Sequence, residues 1–313
     1  MYHRVADPDL DPWLLCVRPA HFEAHLRVLA DRGSVVTLED LAGGTARRPA
    51  VVVTIDDGYE DTLSAASPLL DRYDVPATVY VMTAGLREQH ACWWDVLTEL
   101  LLRPGRLPDE LPARFRGPGG AAVPPGAGAY GPEEARRHAT WSAYDPPATP
   151  RHQLYLSLWH WLVERPPAEQ ALGIDELRRW TGRPGTPAAR LLSAPEVRTL
   201  TTHPGVTIGA HTVRHPALPA LQAAEQQREV TDSVRQLEAT VARPVEHFAY
   251  PHGRHDVASR EVVAASGFRT AVTTDPGSVD PHSDPLVLPR HQVPDVDGGG
   301  FTAWLDGLHE ATP

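Results

Sequence analysis

The chain alternates short apolar runs with amphipathic stretches, and this alternation limits its fold more than any other feature. Residues 51–55 form an apolar run, residues 63–70 carry apolar side chains at helical spacing, and residues 77–82 form a second apolar run. A buried strand, an amphipathic helix and another buried strand make one βαβ unit with parallel strands. The same alternation recurs over residues 206–273. The pattern therefore predicts an α/β protein with a parallel sheet.

The same periodicities predict the remaining elements. A helix begins at Pro19, since proline fits the first helical position. Further helices are predicted over 223–241 and 257–265, and further strands over 206–210, 247–250, 269–273 and 286–288. Residues 103–190 differ, because a segment dense in proline and glycine precedes helix-like segments rich in tryptophan. We interpret residues 1–313 as one catalytic domain in which 103–190 is an insertion, a Pro/Gly-rich loop plus a helical cap.

Composition excludes several classes of function. The formal charge of −11 argues against a nucleic-acid partner. The sequence contains no run of about eighteen apolar residues, so it predicts no membrane span. Cys16 and Cys92 are too few for a thiolate metal site, so a metal would need histidine and carboxylate ligands. We expect a cytoplasmic protein because no apolar segment follows a basic one at the start. A start codon upstream would overturn that expectation.

Two adjacent carboxylates, Asp56 and Asp57, follow the first buried strand. The dipeptide Asp57-Gly58 by itself is an ordinary turn signal. Two carboxylates at the end of a buried strand are nevertheless costly unless a cation or a shared proton relieves their repulsion. This motif is therefore a candidate metal site.

A pair of histidines, His211 and His215, follows another predicted strand. Their separation lets both imidazoles reach one ion, and Pro216 disfavours helical backbone at His215, so we expect both on a single turn. In a chain with 16 histidines such a pair alone is weak evidence. Two histidines and one carboxylate are, however, the usual ligands of a hydrolytic metal that keeps a position open for water.

Two more motifs, at residues 248–253 and 286–291, also come where predicted strands end. Each alone would indicate only a strand that turns into a loop. All four motifs together fall at the carboxyl ends of strands, where the active sites of barrel enzymes lie. The adjacent residues Trp93 and Trp94 have two possible roles. They could stack on a sugar ring, or they could pack in the core at the start of a helix.

These motifs resemble those of the polysaccharide deacetylase family, the carbohydrate esterases (family 4) that share the NodB homology domain. The resemblance covers residues 1–95 and 190–305 and implies a distorted (β/α)7 barrel of the NodB type that hydrolyses N-acetyl groups with a metal ion. The similar segments are Tyr-His-Arg-Val (2–5), Arg-Pro-Ala-His-Phe (18–22), Thr-Ile-Asp-Asp-Gly-Tyr (54–59), His-Thr-Val-Arg-His-Pro (211–216), Phe-Ala-Tyr-Pro-His-Gly (248–253) and Leu-Pro-Arg (288–290).

The resemblance also assigns roles to individual residues. It implies Asp56 as the general base, and the metal ligands Asp57, His211 and His215. Many members have an arginine that holds the base where this chain has Phe248. We expect Arg290 to hold Asp56 instead, through a bidentate contact.

Tyrosines and histidines complete the predicted site. The resemblance implies that the backbone N–H of Tyr250 donates to the oxyanion, and Tyr59 either lines the sugar pocket or is a packed aromatic. The Leu-x-His motif that supplies the general acid in the family is not reproduced cleanly. His291 is the first candidate for that acid, and His3 and His252 are alternatives.

The leading hypothesis is an N-deacetylase that hydrolyses the acetamide of an N-acetylated amino sugar or glycoside intermediate to amine and acetate. It uses one divalent ion, zinc in first place and cobalt, nickel or manganese as alternatives. Two other functions remain open: a metal-dependent amidase on a non-sugar amide or imide, and a carbohydrate-binding barrel without catalysis. A groove lined by Trp and Tyr would favour sugars, and a small pocket closed by Arg would favour compact anionic amides.

Overall fold

The structure, a computed structural model, describes residues 1–46, 49–87, 91–116 and 122–310. The chain divides into two compact units. Unit 1 comprises Met1–Asp7, Leu15–Gln89 and Leu191–Pro313, and unit 2 comprises Pro8–Leu14 and His90–Arg190. The assignment of residues 1–313 to one domain with an insertion over 103–190 stays a prediction.

Short parallel strands form the centre of unit 1. The strands among the described residues of the whole chain are β1 (Arg4–Val5), β2 (Cys16–Val17), β3 (Val53–Ile55), β4 (Ala77–Val81), β5 (Gly105–Arg106), β6 (Ala129–Tyr130), β7 (Val206–Ala210), β8 (His247–Ala249) and β9 (Thr270–Val272). Within the described ranges, one sheet has the parallel order β3-β4-β7-β8-β9. Tyr2 extends it in parallel beside β3, and Leu288 extends it in parallel beside β9. This curled sheet confirms the predicted distorted (β/α)7 barrel.

The helices follow the amphipathic stretches of the sequence. They are α1 (Pro19–Arg32), α2 (Leu38–Ala42), α3 (Ser67–Tyr73), α4 (Trp93–Leu101), α5 (Pro132–Arg137), α6 (Pro150–Val163), α7 (Pro167–Thr181), α8 (Ala194–Leu200), α9 (Ala223–Val241), α10 (Val257–Ala265) and α11 (Gly298–Glu310). The predicted bounds of α9, α10 and β7 are confirmed, and α1 begins at Pro19 as expected. None of the described helices combines the length and apolar character needed to cross a bilayer.

Side chains alternate between two layers of core along each strand of unit 1. Val79 and Val81 on β4 belong to the large outer core, which also contains buried side chains of α1, α9 and α10. Tyr80 points the other way and packs with Ala249 and Val272 in a smaller core. The strands are therefore buried on both faces, which explains why they appear in the sequence as continuous apolar runs.

Unit 2 is built from α4, α6 and α7, which pack on one another, and from the antiparallel pair of β5 and β6. Its centre contains Arg151, fully buried, whose guanidinium donates hydrogen bonds to the carbonyls of Leu101, Gly105, Ala127 and Gly128. These bonds satisfy a buried cation without a carboxylate. Trp93 and Trp94 are buried at the start of α4, which matches the packed alternative.

We predict that Gly209→Ala destabilises the barrel by about 1–3 kcal/mol. A Cβ at this position on β7 would overlap the ring of Tyr80 and lie 3.1 Å from the carbonyl oxygen of His247. Chemical denaturation gives the free energy of unfolding. The control is Gly307→Ala on α11, where a Cβ meets nothing and alanine favours the helix, so stability should stay equal or rise. Equal stability of Gly209→Ala and wild type would contradict this packing.

Candidate active site

Asp56 and Asp57 follow β3, and each is only 2% exposed. The chain turns sharply there, because Asp57 and Gly58 both have left-handed backbone, with φ of 70° and 74°. A Cβ on residue 58 would approach Val81 to 3.1 Å, so glycine is required for both conformation and space. This turn places two carboxylates at the carboxyl edge of the sheet.

The loop after β7 provides two imidazoles. His211 continues the ladder, since its N–H donates to the carbonyl of Val81 at 3.2 Å. Thr212 and His215 then have left-handed backbone, with φ of 64° and 58°. The N–H of His215 donates to Oγ1 of Thr212 at 2.9 Å, which closes the turn. The segment is not helical, as the proline at position 216 predicts.

The structure brings Asp57, His211 and His215 together. Nε2 of each histidine lies 3.4 Å from Oδ1 of Asp57, and one potential ligand atom of each residue lies within 4.8 Å of the others. That carboxylate oxygen is buried and accepts no hydrogen bond from the described residues. Because a buried, unsatisfied carboxylate oxygen is costly, the donor set fits a divalent cation.

The orientation of His211 supports the same interpretation. Its Nδ1–H donates to the carbonyl of Ala249 at 2.8 Å, which leaves the lone pair on Nε2 facing Asp57. Histidines that bind metals commonly fix their second ring nitrogen in this way. Burial holds the pKa of His215 well below its ordinary value, so this ring is neutral and able to donate a lone pair.

Arg290 makes the predicted bidentate contact with Asp56. Its two terminal nitrogens donate to Oδ1 and Oδ2 at 2.7 and 2.6 Å. The guanidinium also donates hydrogen bonds to Oγ1 of Thr54 and to the carbonyl of Thr273. Burial would raise the pKa of Asp56, but Arg290 holds it below its ordinary value. Sequence reasoning missed Thr54, although its position two residues before Asp56 places both on one face of the strand.

Tyr250 and Tyr59 are both buried side chains beside the site. The N–H of Tyr250 donates to the carbonyl of Val272 at 3.0 Å within the sheet ladder, so it has no proton left for an oxyanion. This corrects the prediction for Tyr250, whose ring packs against Phe248 in the outer core. Tyr59 is fully buried with the guanidinium of Arg4 over its ring, which matches the packed alternative.

The three candidate acids lie in different surroundings. Arg290 points into the barrel, so the next residue in the extended chain points outward, and the ring of His291 faces Trp304 at 6.4 Å. Burial lowers the pKa of His3, and the negative charges of Asp57 and Asp56 offset part of that shift. Burial also lowers the pKa of His252 to about 4, and its ring lies 4.4 Å from that of His215. The structure therefore does not bring His291 to the acidic pair, contrary to the first choice from sequence.

Comparison with known families identifies the chain. The model of the family "Polysaccharide deacetylase" matches residues 43–106 and 179–271, just over half of the sequence. The chain belongs to the polysaccharide deacetylase family. Both matched ranges contain residues of the buried cluster, the acidic pair in the first and the two histidines in the second.

Individual deacetylases are more distant. YxkH of Bacillus subtilis (strain 168) is 26% identical over 118 residues, a match that spans 37% of this chain and 42% of that relative. The Streptococcus pyogenes deacetylase PplD, solved in complex with acetate, has a TM-score of 0.58 at 17% identity and covers 97% of this chain and 95% of its own. IcaB from Ammonifex degensii has a TM-score of 0.56 at 14% identity, over 97% and 94%. At these identities the solved structures show a shared fold.

We predict that Arg290→Met lowers the free energy of unfolding by about 3–5 kcal/mol, because it leaves the carboxylate of Asp56 buried without a counter-charge. Urea denaturation near neutral pH measures the loss. The double variant Asp56→Asn/Arg290→Met serves as the control, since it removes both charges and should recover part of the stability. Wild-type stability in Arg290→Met would show that the pair is not needed to hold the site.

Proposed function

We propose that this protein is a metal-dependent N-deacetylase that hydrolyses the acetamide of an N-acetylated amino sugar or glycoside intermediate. Membership of the polysaccharide deacetylase family supports carbohydrate N-deacetylase activity. The observation that supports metal dependence most directly is the buried Oδ1 of Asp57, which faces two Nε2 atoms and accepts no hydrogen bond from the described residues.

Asp57, His211 and His215 would hold the ion. Two imidazoles and a carboxylate suit zinc, with cobalt, nickel and manganese as alternatives. When bound, a divalent cation supplies polarisation of an amide carbonyl and a water of lowered pKa. The Nδ1–H of His211 donates to the carbonyl of Ala249, which would orient this ligand for the ion.

Asp56 would act as the general base. It is adjacent in sequence to Asp57, and Arg290 keeps it ionised and fixed in one plane by two short hydrogen bonds. An ionised carboxylate accepts the proton of a water that attacks the acetamide carbon. Its lowered pKa makes it a weaker base than a free carboxylate, but its fixed orientation lowers the entropic cost of that proton transfer.

His3 is the best-placed donor of a proton to the departing amine. Tyr2 pairs with Ile55, and both pack in the outer core, so His3 is level with Asp56 and faces the same side of the sheet. His291 instead points to the outer side. We therefore assign the role of general acid to His3, with His252 as the alternative.

We predict that Asp56→Asn lowers the rate of acetate release by about 10²–10⁴-fold, the usual contribution of a positioned acid or base. The assay covers N-acetylated monosaccharides, nucleotide sugars, pseudo-disaccharides and chito-oligomers. Chelation should abolish turnover, and added zinc should restore it. Metal-independent turnover, or full activity of Asp56→Asn, would refute the proposal.

Two outcomes of the same assay would favour the other functions. Sugar affinity that is equal in wild type and Asp56→Asn, without turnover in either, would indicate a binding barrel. Turnover confined to small non-sugar amides or imides would indicate an amidase.

We predict that His3→Gln slows acetate release from an N-acetylated sugar by about 10²-fold or more, while His291→Gln stays within a few-fold of wild type. The reason is that only the first of these side chains faces the side of the sheet that Asp56 faces. Circular dichroism checks that both variants fold. The reverse order of effects would return the acid role to His291.

A further inference from the structure

A second carboxylate contacts the loop that contains both histidine ligands, and the proposed chemistry does not use it. Glu229 lies on α9 and is 5% exposed. Its Oε2 accepts hydrogen bonds from the N–H groups of Val213 and Arg214, both at 2.9 Å. Its Oε1 accepts from Nε of Arg214 at 3.2 Å. One buried side chain therefore holds two consecutive backbone groups between the two ligands.

The loop needs such partners because its backbone is strained. Thr212 and His215 have left-handed φ, and this conformation is a genuine outlier for a β-branched residue such as threonine. Strained backbone persists only where its surroundings fix it. The carbonyls of the loop are held as well, since those of Thr212 and Val213 accept from the N–H groups of the 3₁₀ turn Thr83–Leu86 at 3.2 and 2.8 Å.

The bonds from the backbone to Glu229 are the strong part of this arrangement. Hydrogen bonds to an ionised carboxylate are about twice as strong as those between neutral groups. The side chain of Arg214 is 56% exposed, so water screens its ion pair with Glu229, whereas the hydrogen bonds from the two N–H groups are partly buried. Glu229 therefore acts on the loop mainly through the two N–H groups.

We propose that Glu229 is a positioning residue for metal binding: it fixes the turn between His211 and His215 so that both Nε2 atoms face Asp57 before an ion binds. The inference rests on the proposed metal-dependent function. Without Glu229, two backbone N–H groups lose their acceptor and the loop relaxes from its left-handed conformation. Ordering the two imidazoles then costs free energy when the ion binds, so the affinity for the ion falls.

The test is the dissociation constant of zinc, measured by calorimetry on the full chain with competing chelator. We expect Glu229→Ala to weaken zinc binding by about 10–100-fold, the usual effect of removing a group that orients a ligand. Glu229→Gln keeps an oxygen that accepts both N–H groups, so it should recover most of the affinity and lose only about threefold to tenfold.

Glu238→Ala is the matched control. Glu238 lies on the same helix and also accepts a backbone hydrogen bond, from the N–H of Val245 at 3.2 Å. This variant loses a comparable contact outside the loop, so its zinc affinity should stay within about twofold of wild type. Thermal melting of the metal-free variants separates general destabilisation from an effect on the loop.

Each outcome decides the proposal. Wild-type zinc affinity in Glu229→Ala and Glu229→Gln would overturn it, and so would an equal loss of affinity in Glu238→Ala. If Glu229→Ala does not fold, Glu229→Gln decides alone: wild-type affinity overturns the proposal, and a measurable loss at unchanged melting temperature supports it. A wild-type chain that binds no zinc would overturn the metal-dependent function itself, and the role of Glu229 with it.

Discussion

The neutralisation of two adjacent buried carboxylates is the constraint on which the rest of the site depends. Asp56 and Asp57 directly follow β3 and have almost no exposed surface, so their repulsion is weakly screened. Arg290 relieves the first by a bidentate pair that joins the segment after β9 to the end of β3. The second carboxylate faces two imidazoles and keeps one oxygen without a hydrogen bond from the described residues. One carboxylate thus has a protein counter-charge, and the other has the surroundings of a metal ligand.

The backbone is strained at several residues around the buried carboxylates and histidines. Asp57, Thr212, His215 and His252 all have left-handed φ although none is glycine. Such conformations concentrate where a fold must aim side chains at one point. The parallel sheet provides the rigid support, since β3, β7 and β8 belong to one sheet and each is followed by one of these turns. The hydrogen bonds of Thr212 and Glu229 then fix the turn between the two histidines.

Local patterns in the sequence predict the parallel sheet and the candidate metal ligands, and the resemblance to the deacetylase family implies the barrel. Continuous apolar runs mark strands buried on two faces, and helical periodicity gives the bounds of α9 and α10. The errors arise where the direction of one group depends on strand pairing. The N–H of Tyr250 is used by the ladder of β8 and β9, and His291 points outward because Arg290 points inward. The buried network around Arg151 depends on contacts between separate segments that no periodicity specifies.

The most direct test of this account is the position of the ion itself. Anomalous scattering at the zinc edge, from crystals of the zinc-loaded protein, locates it without reference to activity. The account predicts one peak about 2.0–2.2 Å from Oδ1 of Asp57 and from Nε2 of both His211 and His215, with Asp56 still paired to Arg290. A peak bound by other residues, or none at this cluster, would contradict it.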